Sequence, residues 1–345
     1  MVKAGIYGAS GYTGQELLRI LLRHPDVEVA AVTSRRFKGM PVSDVYPCFE
    51  GLTEKKFMDS SPDEIASVCD VIFSALPHGV AMDFVPQLLK SGKKVIDLSA
   101  DFRLRELSVY EKCYRSHSSP QLLEEAVYGI PELYREKIKS AQLIANPGCY
   151  PTSIILGLAP LLRSGLADTS SIIADSKSGV SGAGREPKIG SLFCEVDEGF
   201  KAYGVLVHRH TPEIEQELSF LAGTGMKITF VPHLLPVNRG ILSTIYAGMK
   251  KDTSASELLD IYNDFYKNEA FVKVLKSGFY PNISSVKGTN NCQIGIAADP
   301  DMKRIVIVSA IDNLVKGAAG QAVQNMNLML GLEEGAGLKN IALFP

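Results

Sequence analysis

The chain has 345 residues and a nearly balanced charge, with 36 Lys and Arg against 38 Asp and Glu, which gives a net charge of -2. This length allows two domains with sizeable cores, and the charge balance excludes the strongly basic surface that holds nucleic acid. No apolar run approaches the roughly 18 residues that span a bilayer. The chain begins MVKAGIYGASG, a strand and turn rather than a signal segment. We therefore expect a cytoplasmic protein with neither nucleic-acid nor membrane partners.

The cysteines are scattered and form no CxxC pair. In a chain of this size, such a pattern indicates free thiols in a reducing compartment. The six residues are Cys48, Cys69, Cys113, Cys149, Cys194 and Cys292.

The first part of the chain alternates apolar strands with helical patterns. A helix with one leucine-rich face is predicted before His24-Pro25, and another from Val80 to Leu89. Strands are predicted at Val2–Tyr7, Val27–Thr33, Val71–Ala75, Val95–Leu98 and Leu143–Ala145. This alternation of strands that are apolar on both faces predicts a parallel sheet covered by helices.

After Cys149 the strands are longer and are joined by loops that contain Gly and Pro, which is typical of a mixed α+β domain. Strands are predicted at Ile172–Asp175, Lys227–Val231, Ile241–Ala247 and Arg304–Ala310, and helices at Pro212–Leu221, Ala255–Tyr266 and Leu314–Leu330. The last helix is rich in small residues, and we expect it to pack back on the first domain. The predicted fold is thus α/β, with a Rossmann-like domain (1–148 and 313–345) and an α+β substrate and dimerisation domain (149–312).

A glycine-rich heptapeptide, GASGYTG, joins the first strand to the first helix. Glycines permit a tight turn and let backbone N–H groups approach a phosphate at the helix N-terminus, where the helix dipole favours an anion. The GxxGxxG spacing differs from the usual GxGxxG, and a plain strand-to-helix turn is the alternative. The strand–turn–helix context favours a dinucleotide site formed by Gly8, Ser10, Gly11, Tyr12, Thr13 and Gly14.

The second strand ends in Thr33-Ser34-Arg35-Arg36, without an acidic residue. An acid at this position holds the ribose 2′-OH of NAD, whereas arginine and a hydroxyl suit the 2′-phosphate of NADP. We therefore predict NADP as the cofactor, with Ser34 and Arg35 at its phosphate. The alternative is a pair of solvated surface arginines.

Three further segments follow predicted strands, and the first of them lies where ligands of open parallel sheets bind. SALPHG places Ser74 and Pro77 beside the cofactor, while its His78 is better interpreted as a loop or helix-capping residue. Arg103, in SADFR, is a candidate for an anionic substrate group, with an ordinary Asp–Arg surface pair as the alternative. SGVSGAGR, from Ser178, either closes over the nicotinamide or is a flexible surface loop.

Cys149 lies in NPGCYPT, between a Pro-Gly turn and an apolar helical pattern. This order places the thiol at or next to a helix N-cap, a position that lowers a thiol pKa from about 8.5. Pro160 should kink or shorten the helix. The other cysteines are interpreted as inert, whereas Cys149 is a candidate nucleophile.

A thiolate nucleophile needs an acid/base partner, which is usually histidine. In HRHTPEI, His208 and His210 precede Thr211-Pro212-Glu213, a typical helix start with Thr at the N-cap and Pro at the first helical position. The two histidines share a face if the strand-like run Val205–Val207 continues. A metal site would need a third ligand at a recognisable spacing, and we find none.

Together, GASGYTG, DLSADFRL, NPGCYPT, SGVSGAGR and HRHTPEI resemble the N-acetyl-gamma-glutamyl-phosphate reductase family, of the semialdehyde dehydrogenase type, from Gly5 to about Gln324. The resemblance implies an NADP-dependent step of arginine biosynthesis, Cys149 as nucleophile and His208 as acid/base. It also implies a homo-oligomer, a dimer or tetramer. Residues expected at the cofactor then include Ser178, Gly179 and Asn313, and those expected at the substrate are Arg103, Asn146, Arg209, His210 and Glu213.

The expected reaction has Cys149 attack an acyl phosphate and expel phosphate, leaving a thioester that hydride reduces to an aldehyde. His208 supplies a proton, and a backbone N–H at the helix start stabilises the oxyanion. Alternatives are aspartate-semialdehyde dehydrogenase, a reductase of carrier-linked aminoadipyl phosphate, an NADP-binding redox sensor without turnover, and a cysteine hydrolase. The last leaves the glycine loop and the two arginines unexplained.

Overall fold

The structure is a computed structural model that describes residues 1–344. The chain divides into two compact units. The first unit comprises Met1–Pro147 and Ala318–Lys339, and the second comprises Gly148–Gly317 and the described residues from Asn340 onward. No helix in the described part of the chain is both long and apolar enough to cross a bilayer.

The strands of residues 1–344 form two sheets. They are β1 (Val2–Tyr7), β2 (Val27–Val32), β3 (Val71–Ser74), β4 (Lys94–Asp97), β5 (Val127–Tyr128), β6 (Leu143–Ala145), β7 (Ala167–Gly179), β8 (Lys201–Ala202), β9 (Thr229–Leu235), β10 (Ile241–Met249), β11 (Val272–Val274), β12 (Cys292–Asp299) and β13 (Arg304–Ile311).

The α-helices flank these sheets within each unit. They are α1 (Tyr12–Leu21), α2 (Val42–Val45), α3 (Pro62–Val68), α4 (Val85–Lys90), α5 (Leu107–Cys113), α6 (Leu122–Glu125), α7 (Pro131–Ser140), α8 (Cys149–Arg163), α9 (Phe193–Val196), α10 (Thr211–Ala222), α11 (Ala255–Tyr266) and α12 (Gly320–Met329). A π-helical turn, Val315–Ala319, precedes α12.

The first unit contains a parallel sheet in the order β2-β1-β3-β4-β6-β5. Its central strands β3 and β4 are buried almost throughout, as expected of a sheet covered on both faces. Helix α12 packs against α1, α7 and β4 and is buried on all sides. The predictions of a Rossmann-like sheet and of a returning C-terminal helix are confirmed.

The second unit contains a mixed sheet in the order β11-β12-β13-β10-β7-β9-β8. Its central strands β7, β10 and β13 are antiparallel neighbours, while β7 and β9 run parallel. Helix α8 packs on one face, where Gly157 lies against Ile245 and Ile307. The middle of α8 therefore packs directly on the strands of this sheet.

Several element boundaries differ from prediction. The helix expected at Val80–Leu89 is a 3₁₀ turn, Ala81–Asp83, followed by α4, because Pro86 cannot donate to the preceding turn. The run Val205–Val207 is a turn rather than a strand, since Gly204 and Leu206 adopt φ of +56° and +62°.

The segment expected to begin a loop at Ser178 instead belongs to β7 up to Gly179. Ser178 pairs with Ile241 on one side and Leu234 on the other, and this pairing extends the strand. Helix α10 begins at Thr211, with His210 rather than Thr211 as its N-cap. The helix expected at Leu314–Leu330 opens as the π-turn, in which the Gly317 N–H donates to the Asp312 carbonyl at 2.9 Å.

Candidate active site

The thiol of Cys149 lies at the first residue of α8, one position after the N-cap Gly148. The Gly148 carbonyl accepts hydrogen bonds from both the N–H and the hydroxyl of Thr152, each at 3.0 Å. Cys149 is half-buried. The structure thus places this cysteine at the position that the sequence predicts, where the helix dipole favours an anion.

Gly317 in the π-turn packs directly against Cys149. A Cβ atom at position 317 would lie 2.8 Å from the Cys149 Cβ, a distance that no side chain tolerates without movement. π-Helical turns often occur at functional sites. Sequence reasoning missed Gly317, and its only signal is its place in the small-residue run KGAAG.

The imidazole of His208 follows the turn Val205–Val207. Its Nδ1 accepts a hydrogen bond from the His210 N–H at 3.1 Å, so the neutral ring carries its proton on Nε2. Burial, with a smaller contribution from the Arg209 charge, lowers the pKa of His208 from 6.5 to about 4. At neutral pH the residue is therefore a neutral hydrogen-bond donor.

Two tyrosines, Tyr150 and Tyr203, pack around His208 and form a cluster with it. The Tyr203 hydroxyl donates to the Tyr150 hydroxyl at 3.1 Å, and the Tyr150 hydroxyl donates to the His233 carbonyl at 3.1 Å. Both rings pack edge-on against His208, with centroids 5.5 and 5.7 Å away. Burial above all, and also the neighbouring Cys149, raises the pKa of Tyr203 to about 12 and that of Tyr150 further. Sequence reasoning missed both residues; Tyr150 adjoins Cys149 in the chain, whereas nothing in the sequence marks Tyr203.

The remaining predicted residues of the second unit have defined contacts. Glu213 is buried, and its Oε1 accepts from the Gly148 N–H at 2.8 Å. His210 packs on His208 with centroids 4.9 Å apart, and Arg209 is exposed. Asn313 accepts from the Gly240 N–H at 2.8 Å and donates to the Ser181 hydroxyl at 2.9 Å. Ser178 is buried, and its hydroxyl donates to the Gly179 carbonyl at 3.0 Å.

In the first unit, the glycine loop is held against the tip of β2. Gly8 has φ of +76°, and a Cβ there would lie 2.4 Å from the Ala75 carbonyl oxygen, so only glycine fits. The Gly8 N–H donates to the Thr33 hydroxyl at 3.2 Å, and the hydroxyls of Ser10 and Ser34 are 2.8 Å apart. Helix α1 begins at Tyr12, after this turn and the N-cap Gly11. A tight glycine turn at a helix N-terminus is the arrangement that a dinucleotide phosphate requires, and the binding role of Gly8 to Gly14 stays a prediction.

An acidic residue from another segment, Asp59, lies beside the tip of β2. The segment before Asp59 runs alongside β2, with the Ser34 N–H donating to the Met58 carbonyl at 2.9 Å. Asp59 consequently lies 3.8 Å from Arg35 and 4.0 Å from Lys38. The Arg35 side chain is 91% exposed, so this pair is loosely held.

The other predicted residues of the first unit follow its strands. Ser74 ends β3 and is buried, while Pro77 is exposed. Arg103 donates from Nε to the Asn146 carbonyl and from Nη2 to the Leu98 carbonyl, each at 2.7 Å. Asn146 is fully buried, and it donates to the Ala318 carbonyl at 3.1 Å and accepts from Asn325 at 3.0 Å. The structure therefore shows a scaffolding role for Asn146, and its substrate role stays a prediction.

Comparison with known proteins identifies the family to which this arrangement belongs. A family model described as the NAD binding domain of semialdehyde dehydrogenase matches residues 3–141, and one described as its dimerisation domain matches residues 149–313. N-acetyl-gamma-glutamyl-phosphate reductases of Desulfotalea psychrophila and Geobacter metallireducens are 58% and 56% identical over 346 residues, covering 100% of this chain and of each relative.

Solved structures show the same fold. Aspartate semialdehyde dehydrogenase II from Vibrio cholerae, complexed with ASA, matches with a TM-score of 0.74 at 17% identity, covering 96% of this chain and 98% of that chain. The aspartate semialdehyde dehydrogenase with NADP from Candida albicans matches with a TM-score of 0.72 at 17% identity and the same coverage. The chain therefore belongs to the semialdehyde dehydrogenase family and, within it, to the N-acetyl-gamma-glutamyl-phosphate reductases.

Proposed function

We propose that this chain reduces N-acetyl-gamma-glutamyl phosphate to the semialdehyde with NADPH, in arginine biosynthesis, through a thioester on Cys149. The observation that carries the proposal is the Cys149 thiol at the first residue of α8, in the same unit as a neutral His208, in a chain 58% identical to a reductase of that name. The reaction consumes the acyl phosphate and releases the semialdehyde and free phosphate, and these are the small-molecule partners that we expect.

Cys149 Sγ bonds to the acyl carbon, and the carbon–oxygen bond to phosphate breaks. The thioester that forms accepts hydride, which NADPH supplies when bound, far better than a carboxylate does. His208 Nε2–H donates to the acyl oxygen, as a neutral imidazole can when its pKa is lowered. The thiohemiacetal then collapses to the aldehyde and releases the Cys149 thiolate. Arg103, Asn146, Arg209 and His210 stay our predicted substrate-binding residues, whereas the carboxylate of Glu213, expected among them, accepts from the Gly148 N–H.

The cofactor would be held by the glycine loop Gly8–Gly14, with the 2′-phosphate at Ser34 and Arg35. The support is the tight turn at Gly8 and the Ser10–Ser34 hydroxyl contact, which bring the loop and the β2 tip together. Ser74, Pro77, Ser178, Gly179 and Asn313 complete the predicted cofactor set.

We further propose a homo-oligomer, a dimer or tetramer, that forms through the face of the second sheet opposite α8. The match to a dimerisation domain supports self-association. The register aligns Ile173, Tyr246, Val306 and Ala297 as an apolar row on this face. Ile173 is 37% exposed, unlike the buried Ile245 and Ile307 of the opposite face.

We propose that the protein is cytoplasmic, which its six free thiols support.

A phosphate-dependent NADP⁺ reduction assay tests the proposed reaction. We expect turnover with N-acetylglutamate semialdehyde, and little with aspartate or aminoadipate semialdehyde. Cys149→Ser should lower kcat by at least about 10³-fold, because the nucleophile is lost. Cys194→Ser, which changes an exposed cysteine outside the cluster, is the matched control. Preference for another semialdehyde, or near-normal turnover by Cys149→Ser, would contradict the proposal.

A further inference from the structure

A buried carboxylate joins the starts of two helices in the second unit. Glu213, in the first turn of α10, is 2% exposed, and its Oε1 accepts from the Gly148 N–H at 2.8 Å. Gly148 is the N-cap of α8, and its carbonyl is engaged by Thr152. Both polar groups of the residue before Cys149 are therefore fixed by hydrogen bonds.

The start of α10 is also hydrogen-bonded to the segment that carries His208. The Thr211 N–H donates to the His208 carbonyl at 2.9 Å, and the Ile214 N–H donates to the His210 carbonyl at 3.0 Å. The His210 N–H in turn holds the His208 ring at Nδ1. A path of hydrogen bonds and short backbone segments thus leads from Cys149 through Gly148, Glu213 and Thr211 to His208.

We propose that Glu213 is a positioning residue that fixes the thiol of Cys149 relative to the imidazole of His208. This inference rests on the proposed function for its catalytic consequence, and it differs from a role for Glu213 as a substrate ligand. A carboxylate suits this place, because it lies at the N-terminal ends of α8 and α10, where both helix dipoles favour negative charge. The charge-assisted hydrogen bond to Gly148 offsets the cost of burial.

A positioning role and a substrate-binding role for Glu213 predict different results for three variants. Glu213→Gln keeps an oxygen that accepts from the Gly148 N–H, Glu213→Asp keeps the charge but withdraws it by one methylene, and Glu213→Ala removes the acceptor. For a positioning residue we expect Glu213→Gln to retain kcat. Glu213→Asp and Glu213→Ala should lower kcat by about 10²-fold with little change in KM, since small displacements of reacting groups cost that much.

Hydrogen exchange at Gly148 gives a readout that does not depend on turnover. The Gly148 amide should be as protected in Glu213→Gln as in the wild type, and should exchange at least about tenfold faster in Glu213→Asp and Glu213→Ala, since its acceptor is lost. Glu217→Gln is the matched control, because Glu217 is buried one turn further along α10 and hydrogen-bonds Gln216. Melting temperatures show that each variant compared is folded.

Two outcomes would overturn the inference: unchanged Gly148 exchange in both Glu213→Asp and Glu213→Ala, or a rise in KM in Glu213→Gln as large as that in Glu213→Ala, the result expected of a substrate ligand. If the wild-type chain oxidised none of the semialdehydes in the phosphate-dependent NADP⁺ assay, the proposed reaction would fail, while the exchange measurement would still decide whether Glu213 holds the start of α8.

Discussion

At the scale of single residues, the environment of His208 specifies both its charge and its tautomer. The sequence places a histidine near a helix start but says nothing of its protonation, which depends on burial and on the His210 amide. A neutral Nε2–H ring can donate to an acyl oxygen, and it cannot accept the Cys149 proton at Nδ1 while the amide holds that atom. We expected His208 to supply a proton, and we now propose that it acts as a neutral hydrogen-bond donor to the acyl oxygen.

NMR of histidine-labelled protein tests this assignment. We expect the His208 signal, identified with His208→Asn, to report an Nε2–H tautomer and a pKa of about 4, well below 6.5. Because the unfolded chain binds this proton more readily, the contribution of His208 to folding is fully present above pH 6.5 and declines as the pH falls towards 4. A measured pKa near 6.5 or an Nδ1–H ring would show that the assignment is wrong.

Asp59 provides a second residue-scale prediction, on cofactor preference. Its carboxylate lies where an NAD-binding strand would carry an acid, beside Arg35 and Lys38. Asp59→Asn should tighten NADPH binding by a few-fold and leave NADH binding unchanged or weaker, because an exposed like charge near the 2′-phosphate is removed. Fluorescence titration of both nucleotides measures this, with Asp63→Asn as the charge-matched control. Weaker NADPH binding would mean that Asp59 instead orients Arg35 for the phosphate.

At the scale of elements, α8 shows how the fold accommodates a proline. Pro160, which we expected to kink or shorten α8, has no N–H for the Leu156 carbonyl, yet it does not shorten the helix, which continues to Arg163. The Tyr266 hydroxyl donates to the Leu156 carbonyl at 2.6 Å, and the Tyr262 hydroxyl donates to the Gly157 carbonyl at 2.7 Å. Both tyrosines belong to α11, which replaces the missing helical donor from outside.

Replacing Tyr266 and Tyr262 in turn tests how much each hydroxyl contributes to the free energy of unfolding. Tyr266→Phe should lower the free energy of unfolding by about 1–3 kcal/mol, because it leaves the Leu156 carbonyl buried without a donor. Tyr262→Phe should cost less, since Leu161 is not a proline and can donate to Gly157 in the regular helical pattern. Denaturant unfolding of both variants compares the two, and an equal or larger loss for Tyr262→Phe would refute the compensating role of Tyr266.

At the scale of the whole molecule, the uncovered face of the second sheet makes self-association testable. Val308→Glu, on the same face as Tyr246 and Val306, should shift the chain towards monomers while its melting temperature stays close to the wild type, because a charge would be buried in the interface. Light scattering after size exclusion measures the mass. Leu52→Glu, at a position 63% exposed in the first unit, is the control. An unchanged mass for Val308→Glu would place the interface elsewhere.

The sequence by itself determined the family, the fold class and the position of Cys149 at a helix start. These depend on local rules: apolar periodicity specifies strands and helices, and a Pro-Gly turn before a helical pattern places Cys149 at a helix start. Strand tips and short motifs were visible for the same reason, since Gly8 to Gly14 and Ser34 lie within or beside single elements.

Only the tertiary structure decided the contacts between segments distant in the chain. Asp59 reaches Arg35 from a neighbouring segment, Gly317 packs on Cys149, Tyr203 reaches Tyr150, and Glu213 holds Gly148 across 65 residues. The protonation of His208 likewise depends on burial by other elements. Such pairings leave no periodic signal in the sequence, because long-range packing, rather than local propensity, brings the atoms together.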